Sequence, residues 1–242
     1  MRTRTVRYAT DSSSDGKLLD IYAPARPGNR CVLLWHGMGP DERDVLAPLA
    51  QEVARSGATV LVPDWRSDRP DGGRAHLTDT LRFARDHVRD AVDGPAQLVL
   101  AGWSAGAGAA VGVALQPELF DGWRPAAVVG IAGGYRRPAR TTGTVPLDAV
   151  RRAVTPVPVR LVHGTHDTVV PGDSSRELHE QLLALGWDSE LSEPATDHAG
   201  VLGCVYDPTA QRCLPTDEPS VRDLGRATAR VIAAAASLLA HE

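Results

Sequence analysis

One stretch constrains this chain more than any other: Gly102-Trp103-Ser104-Ala105-Gly106. An apolar run, Gln97 to Ala101, leads into it, and a small-residue segment from Ala107 to Leu115 that can continue as a helix leads out. Strand, G-x-S-x-G, helix is the context that lets such a motif act as a nucleophile elbow. The turn is so sharp that neighbouring side chains have no room, and Gly102, Gly106 and Gly108 meet that need. The serine hydroxyl is then lifted above the sheet edge, and the following helix points its positive end at it. A glycine-rich turn with an incidental serine satisfies the same residues, so the meaning of the motif depends on its partners.

The rest of the chain alternates between two kinds of segment. Cys31 to Trp35, Ala58 to Val62, Ala126 to Ala132 and Pro158 to His163 are apolar runs of the kind found in strands buried on both faces of a parallel sheet. Thr5 to Ala9 and Lys17 to Ala23 read as two antiparallel strands at the start, and Trp187 to Leu191 as a short late one. Between them lie helical stripes. Asp41 caps a helix carrying Val45, Leu46, Leu49 and Val53, which Gly57 closes. His76 to Val92 is a second helix. Asp173 opens another, with Leu178, Leu182, Leu183 and Leu185 and a stop at Gly186; Ser220 to Ala240 is the last. Residues 133–156 show no core pattern beyond a short stretch from Leu147 to Val154. Strands alternating with helices predict a mainly parallel sheet covered on both faces. No repeat and no linker divides the chain, so residues 1–242 read as one α/β domain.

Parallel α/β sheets place their sites at the carboxyl ends of the strands. Four candidates fall there: the His36-Gly37-Met38-Gly39 loop, Ser104, Asp167 and His198. A serine hydroxyl needs a base, and a loop histidine after the final strand, followed by Ala199-Gly200, is the best placed. His36, His163 and His166 read as structural. Asp167 lies in Gly164-Thr165-His166-Asp167, where it would orient that base; Asp197, next to His198 in the chain, reads as a surface carboxylate.

In this chain order of Ser, Asp and His the sequence resembles the α/β-hydrolase superfamily over nearly its full length. Within it, the chain looks most like the esterase and lipase branch with an H-G-G-G-type oxyanion loop. Asp64-Trp65-Arg66 is similar to the Asp-Tyr-Arg often seen in that branch. Two positions depart from the pattern: Met38 replaces a glycine of the loop, and Trp103 replaces the usual acidic residue before the nucleophile. The resemblance implies an α/β-hydrolase fold with a sheet of about eight strands and a small cap or none. It implies a serine esterase acting through an acyl-enzyme, with Ser104 as nucleophile, His198 as base and Asp167 as acid. Ala105 and either Met38 or Gly39 would supply the oxyanion N–H groups. Trp103 and the Met38 side chain are expected to line the substrate pocket. Because residues 133–156 are short for a cap, small to medium acyl groups are expected. A thioesterase, peptidase or acyltransferase would use the same triad, and a non-catalytic binding protein could share the fold.

Composition narrows the partners. A net charge of −4 gives no electrostatic case for nucleic acid or an anionic membrane. The first ten residues lack the apolar core of a secretory signal, and Val231 to Ala240 is too short to span a bilayer. With three cysteines, this points to a reducing cytoplasm. Cys204 and Cys213 could close a hairpin by a disulfide or stay free; two ligands do not make a zinc site. Neither a metal nor an organic cofactor is expected, and the expected partner is a small-molecule ester. Arg136, Arg137 and Arg140 follow the strand after the nucleophile helix. They either meet an anionic substrate or belong to a solvated loop.

Overall fold

The apolar runs become strands of one eight-stranded sheet. The computed structural model describes residues 1–8, 17–26, 28–91, 97–153 and 155–238, the side chains of 89–91 excepted. In chain order the elements are β1 (Arg2–Arg7), β2 (Leu18–Ala23), β3 (Arg30–Trp35), α1 (Arg43–Arg55), β4 (Thr59–Pro63), α2 (Arg74–Ala91), β5 (Gln97–Trp103) and α3 (Ala105–Leu115). There follow β6 (Val128–Ile131), α4 (Pro146–Ala149), β7 (Val159–Val162), α5 (Asp173–Ala184), β8 (Ser189–Ser192), β9 (Cys204–Asp207), β10 (Arg212–Pro215) and α6 (Pro219–Ala235). The sheet order is β1-β2-β4-β3-β5-β6-β7-β8. β2 runs antiparallel to both its neighbours, and every pairing from β4 to β8 is parallel.

Strand side chains alternate between faces, so each central strand feeds two cores. Leu33 and Trp35 of β3 join Leu61, Leu100, the small residues of α3, and Leu178 and Leu182 of α5 on one side. Val32 and Leu34 join Val60, Val99, the Val45–Leu49–Val53 stripe of α1 and Ile232 of α6 on the other. This two-sided burial is why β3 and β5 carry continuous apolar runs. Among the described residues no helix is long and apolar enough to cross a membrane.

Several boundaries and faces differ from the sequence reading. β1 spans Arg2–Arg7 rather than Thr5 to Ala9, and Ala9 lies outside the described residues. Asp41 stands two residues before α1 instead of at its cap: its Oδ1 accepts from the Arg43 backbone N–H at 3.2 Å while both oxygens hold the Arg43 guanidinium. In α5 only Leu178 and Leu182 face the core; Leu183 and Leu185 are 50% and 47% exposed. One step along a helix turns the side chain by about 100°, so Leu182 and Leu183 cannot share an inward face. α6 ends at Ala235, and residues 239–242 lie outside the described residues. The stretch from Leu147 is a short helix followed by a 3-10 turn, Val150–Arg152. Between His198 and α6 the chain forms an antiparallel hairpin of β9 and β10, with Cys204 and Cys213 free and buried. Its four-residue strands are too short to show a period in sequence.

Candidate active site

Ser104 sits between β5 and α3 with φ 55° and ψ −117°, a conformation that costs a non-glycine residue energy and persists only when its surroundings enforce it. The enforcement is visible atom by atom. A Cβ on Gly102 would lie 2.2 Å from the Gly106 carbonyl, and one on Gly106 would lie 2.5 Å from the backbone oxygens of Trp35 and His36. The elbow is therefore pressed against the end of β3, and only glycine fits at either flank. The Ser104 N–H donates to the Ile131 carbonyl at 2.8 Å, which ties the turn to β6.

Asp167 and His198 meet from two different loops. His198 Nδ1 is 2.6 Å from Asp167 Oδ2. A carboxylate only accepts, so Nδ1 carries the proton and Nε2 is left with its lone pair in the neutral ring. The other Asp167 oxygen accepts the backbone N–H groups of Val169 and Val170 at 2.9 and 2.8 Å. Burial works to raise the Asp167 pKa, but hydrogen bonds from His163, His198 and the Val170 N–H outweigh it and hold the carboxyl well below the usual carboxylate range. Gly164 makes the meeting possible. A Cβ there would lie 2.2 Å from the Thr196 carbonyl, so the loop after β7 closes on the loop after β8 only with glycine at this position. Asp197 forms no hydrogen bond with the imidazole among the described residues. Its Oδ1 accepts the Ala199 and Gly200 N–H groups at 3.1 and 2.7 Å and so fixes the turn that carries His198.

Trp103 links this pair to the elbow. Its indole N–H donates to the His198 carbonyl at 3.0 Å, and its ring packs on the imidazole with centroids 5.0 Å apart. Trp103, expected to line the substrate pocket, is 5% exposed, with its one polar atom committed to His198. The structure thus joins His198 to Asp167 directly and to the Ser104 turn through Trp103. Among the described residues it forms no hydrogen bond between Ser104 and His198.

The loop after β3 lies over the elbow: a Cβ on Gly37 would sit 3.3 Å from Ser104 Cβ. Of the two candidate oxyanion donors here, the Gly39 N–H already donates to Ser67 Oγ at 3.0 Å. The Met38 N–H has no intramolecular acceptor among the described residues, and neither has the Ala105 N–H at the start of α3. The Met38 side chain, expected to line the substrate pocket, is 57% exposed. His36 supports the loop from beneath. Its Nδ1 faces the Gly37 carbonyl at 2.9 Å, its ring stacks on Trp65, and the Trp65 indole donates to the His36 carbonyl at 3.1 Å.

Burial pushes the His36 pKa down to about 4. The unfolded chain therefore binds a proton at this residue that the folded chain refuses, and stability falls as pH drops from about 6.5 through about 4. The expected loss attributable to His36 is about 3 kcal/mol at the acid end. Asp167, held low, stays ionised across most of this window. Urea unfolding at steps between pH 7.5 and 4.5 measures the slope, and His36→Asn should flatten it. An unchanged slope in that variant would show that another group carries the acid sensitivity.

His163 is the residue that sequence reasoning undervalued. It is buried beside the acid, with Nε2 2.7 Å from the Val170 carbonyl and 3.3 Å from Asp167 Oδ2, and Nδ1 2.7 Å from Ser175 Oγ. A carbonyl only accepts, so Nε2 bears the proton, and Ser175 donates to Nδ1. His163 thereby shares Asp167 Oδ2 with His198 and helps to hold the carboxylate. The signal was present in its place at a strand end four residues before the acid, but many strand-end histidines serve packing alone. His166 is exposed.

His36, Asp41 and Asp64 bring ligand atoms within 4.8 Å of one another. Each is already engaged: His36 as above, Asp41 with Arg43, and Asp64 Oδ2 with Lys17 at 3.2 Å. Two cations already serve the two carboxylates, which makes this an ion-pair network. A groove of about 740 Å³ lies at the other end of the sheet, between α2 and residues 119–126. It touches Gln97, the first residue of β5, and so lies roughly 20 Å from Ser104 by strand length.

The strand order, the strained elbow after β5 and the loops that converge on it define the α/β-hydrolase fold. No protein-family model matches the chain, and no curated protein matches its sequence. Among solved structures the chain is similar to esterase 2 of the planctomycete Thermogutta terrifontis. The propionate-bound form aligns at a TM-score of 0.73 with 18% identity, over 99% of this chain and 96% of that one. The butyrate-bound form gives 0.71 and 17% identity, over 95% and 93%. The form phosphoramylated by tabun gives 0.71 and 18%, over the same shares.

Proposed function

We propose that this chain is a serine hydrolase that cleaves carboxylic esters of small to medium acyl groups through an acyl-enzyme. The observation that carries the reading is the His198 Nδ1–Asp167 Oδ2 contact of 2.6 Å beside a strained Ser104 elbow. In the reaction, Ser104 Oγ attacks the ester carbonyl while His198 Nε2 takes its proton. The carbonyl oxygen becomes an oxyanion and accepts the N–H groups of Ala105 and Met38, with the amino end of α3 behind them. The intermediate collapses, the alcohol leaves with the proton from His198, and water repeats the sequence on the acyl-enzyme. Asp167 stabilises the charged imidazole at each step, and His163 and Trp103 hold the acid and the base in place.

Two features support short acyl groups. The connection from β6 to β7 holds only the four-residue α4 and a 3-10 turn among its described residues, too little to build a deep lid. The Thermogutta esterase, on the same fold, has been captured with propionate and with butyrate. A panel of ester, thioester and amide reporters of graded acyl length tests the proposal. Turnover of esters should peak at short chains, with amides slower by orders of magnitude. Preference for thioesters or amides would move the reading to another acyl bond.

A further inference from the structure

Three loops interlock at the rim of the Ser104 site. The loop after β3 is tied to the loop after β4 by the Gly39 N–H to Ser67 Oγ at 3.0 Å. The loop after β6 reaches both through one side chain, Arg140. Its Nη2 lies 3.1 Å from Met38 Sδ, and its Nη1 lies 2.7 Å from where a Cβ on Gly72 would stand.

What Arg140 lacks is an anion. A thioether is a weak acceptor, and none of its guanidinium N–H groups meets an oxygen among the described residues. Its neighbours are served differently: Arg136 on the same loop pairs with Glu177, and Arg66 on the facing loop pairs with Asp68. A half-buried guanidinium presents a planar fork of donors that matches a carboxylate in two parallel hydrogen bonds. Its position relative to the chemistry follows from Met38. Met38 follows Gly37, whose Cβ position would lie 3.3 Å from Ser104 Cβ, and the tip of the Met38 side chain touches Arg140. Arg140 is thus one residue and one side chain removed from the loop that lies over Ser104, a reach suited to a short acyl chain.

We propose that Arg140 forms an anion subsite at the rim of the Ser104 site and selects esters that carry a second, free carboxylate. This rests on the hydrolase reading above. The subsite takes half-esters of short dicarboxylic acids, with the ester carbonyl at Ser104 and the free carboxylate on the guanidinium.

The test compares monomethyl glutarate with methyl valerate, which share chain length and differ in the terminal carboxylate. The ratio of their kcat/KM values should favour the half-ester in the unaltered protein and fall about tenfold or more in Arg140→Gln, chiefly through KM. Arg140→Lys, which keeps the charge and loses the fork, should fall between them. The ratio in the unaltered protein should shrink with added salt. Arg137→Gln, a neighbouring exposed charge, should leave the ratio in place. An equal ratio in Arg140→Gln, or the same loss in Arg137→Gln, overturns the proposal. Circular dichroism and melting temperature check that each variant is folded. Calorimetric binding of glutarate reads the subsite without turnover: affinity lost in Arg140→Gln supports it even if the esters are not cleaved, and equal affinity removes it. Absence of both turnover and phosphonate labelling at Ser104 would instead count against the hydrolase reading.

Discussion

Ser104→Ala should lower kcat by about 10⁶ and abolish covalent labelling by a fluorophosphonate, while the protein melts within a few degrees of the unaltered chain. The size follows from what the substitution removes. Without the hydroxyl there is no acyl-enzyme, and His198, Asp167 and the oxyanion N–H groups have nothing to activate. What survives is binding plus electrostatic stabilisation of a water attack, which leaves a residual of about 10³–10⁴ over the uncatalysed reaction. The fold should survive because the elbow is enforced from outside the side chain. Gly102 against Gly106, and Gly106 against the end of β3, set the turn, and the Ser104 N–H to Ile131 carbonyl bond stays. Alanine at φ 55° bears the same strain as serine. Mass spectrometry of the labelled protein decides the matter. A label that maps to another residue, or persists in the alanine variant, would remove Ser104 as the nucleophile.

Much of this arrangement was legible in the sequence because each part announces itself locally. The strands were visible where both faces are buried, as in Cys31 to Trp35, since no polar residue can be tolerated on either side. The elbow was visible because its sterics demand glycine at fixed offsets. Less legible were the contacts that depend on two loops meeting. Nothing in a linear string shows that the Trp103 indole reaches the carbonyl of His198, 95 residues later. His163 looked structural for the same reason. Gly164 carried a usable signal, a glycine at the end of β7 where another chain segment crosses, but the crossing segment at Thr196 was not identifiable. The leucines of α5 misled because four apolar residues within eight positions exceed one face, and only the fold decides which two are buried.

The choice between the two carboxylates near the base rests on geometry and has the second largest consequence. Asp167→Asn should lower kcat by about 10⁴ with the fold retained. In this structure one Asp167 oxygen takes the Val169 and Val170 N–H groups, and the other faces His198 Nδ1 and His163 Nε2. An asparagine keeps its carbonyl on the two backbone donors and so turns its amide toward the histidines. The amide donates to His198 Nδ1, which must then accept, and the ring proton moves to Nε2. The base then presents a proton to Ser104 where it should present a lone pair. The same amide faces the Nε2–H of His163, a donor against a donor, so a modest fall in melting temperature should accompany the kinetic loss. Asp197→Asn is different in kind. Its role is to accept the Ala199 and Gly200 N–H groups, an asparagine oxygen accepts them equally well, and kcat should change by less than about tenfold. Nitrogen-15 spectra of the imidazole would read the tautomer directly, with the His198 proton on Nδ1 in the unaltered protein and on Nε2 in Asp167→Asn. Should Asp197→Asn prove the crippled variant while Asp167→Asn turns over normally, the loop after β7 is scaffold and the acid sits beside the base in the chain.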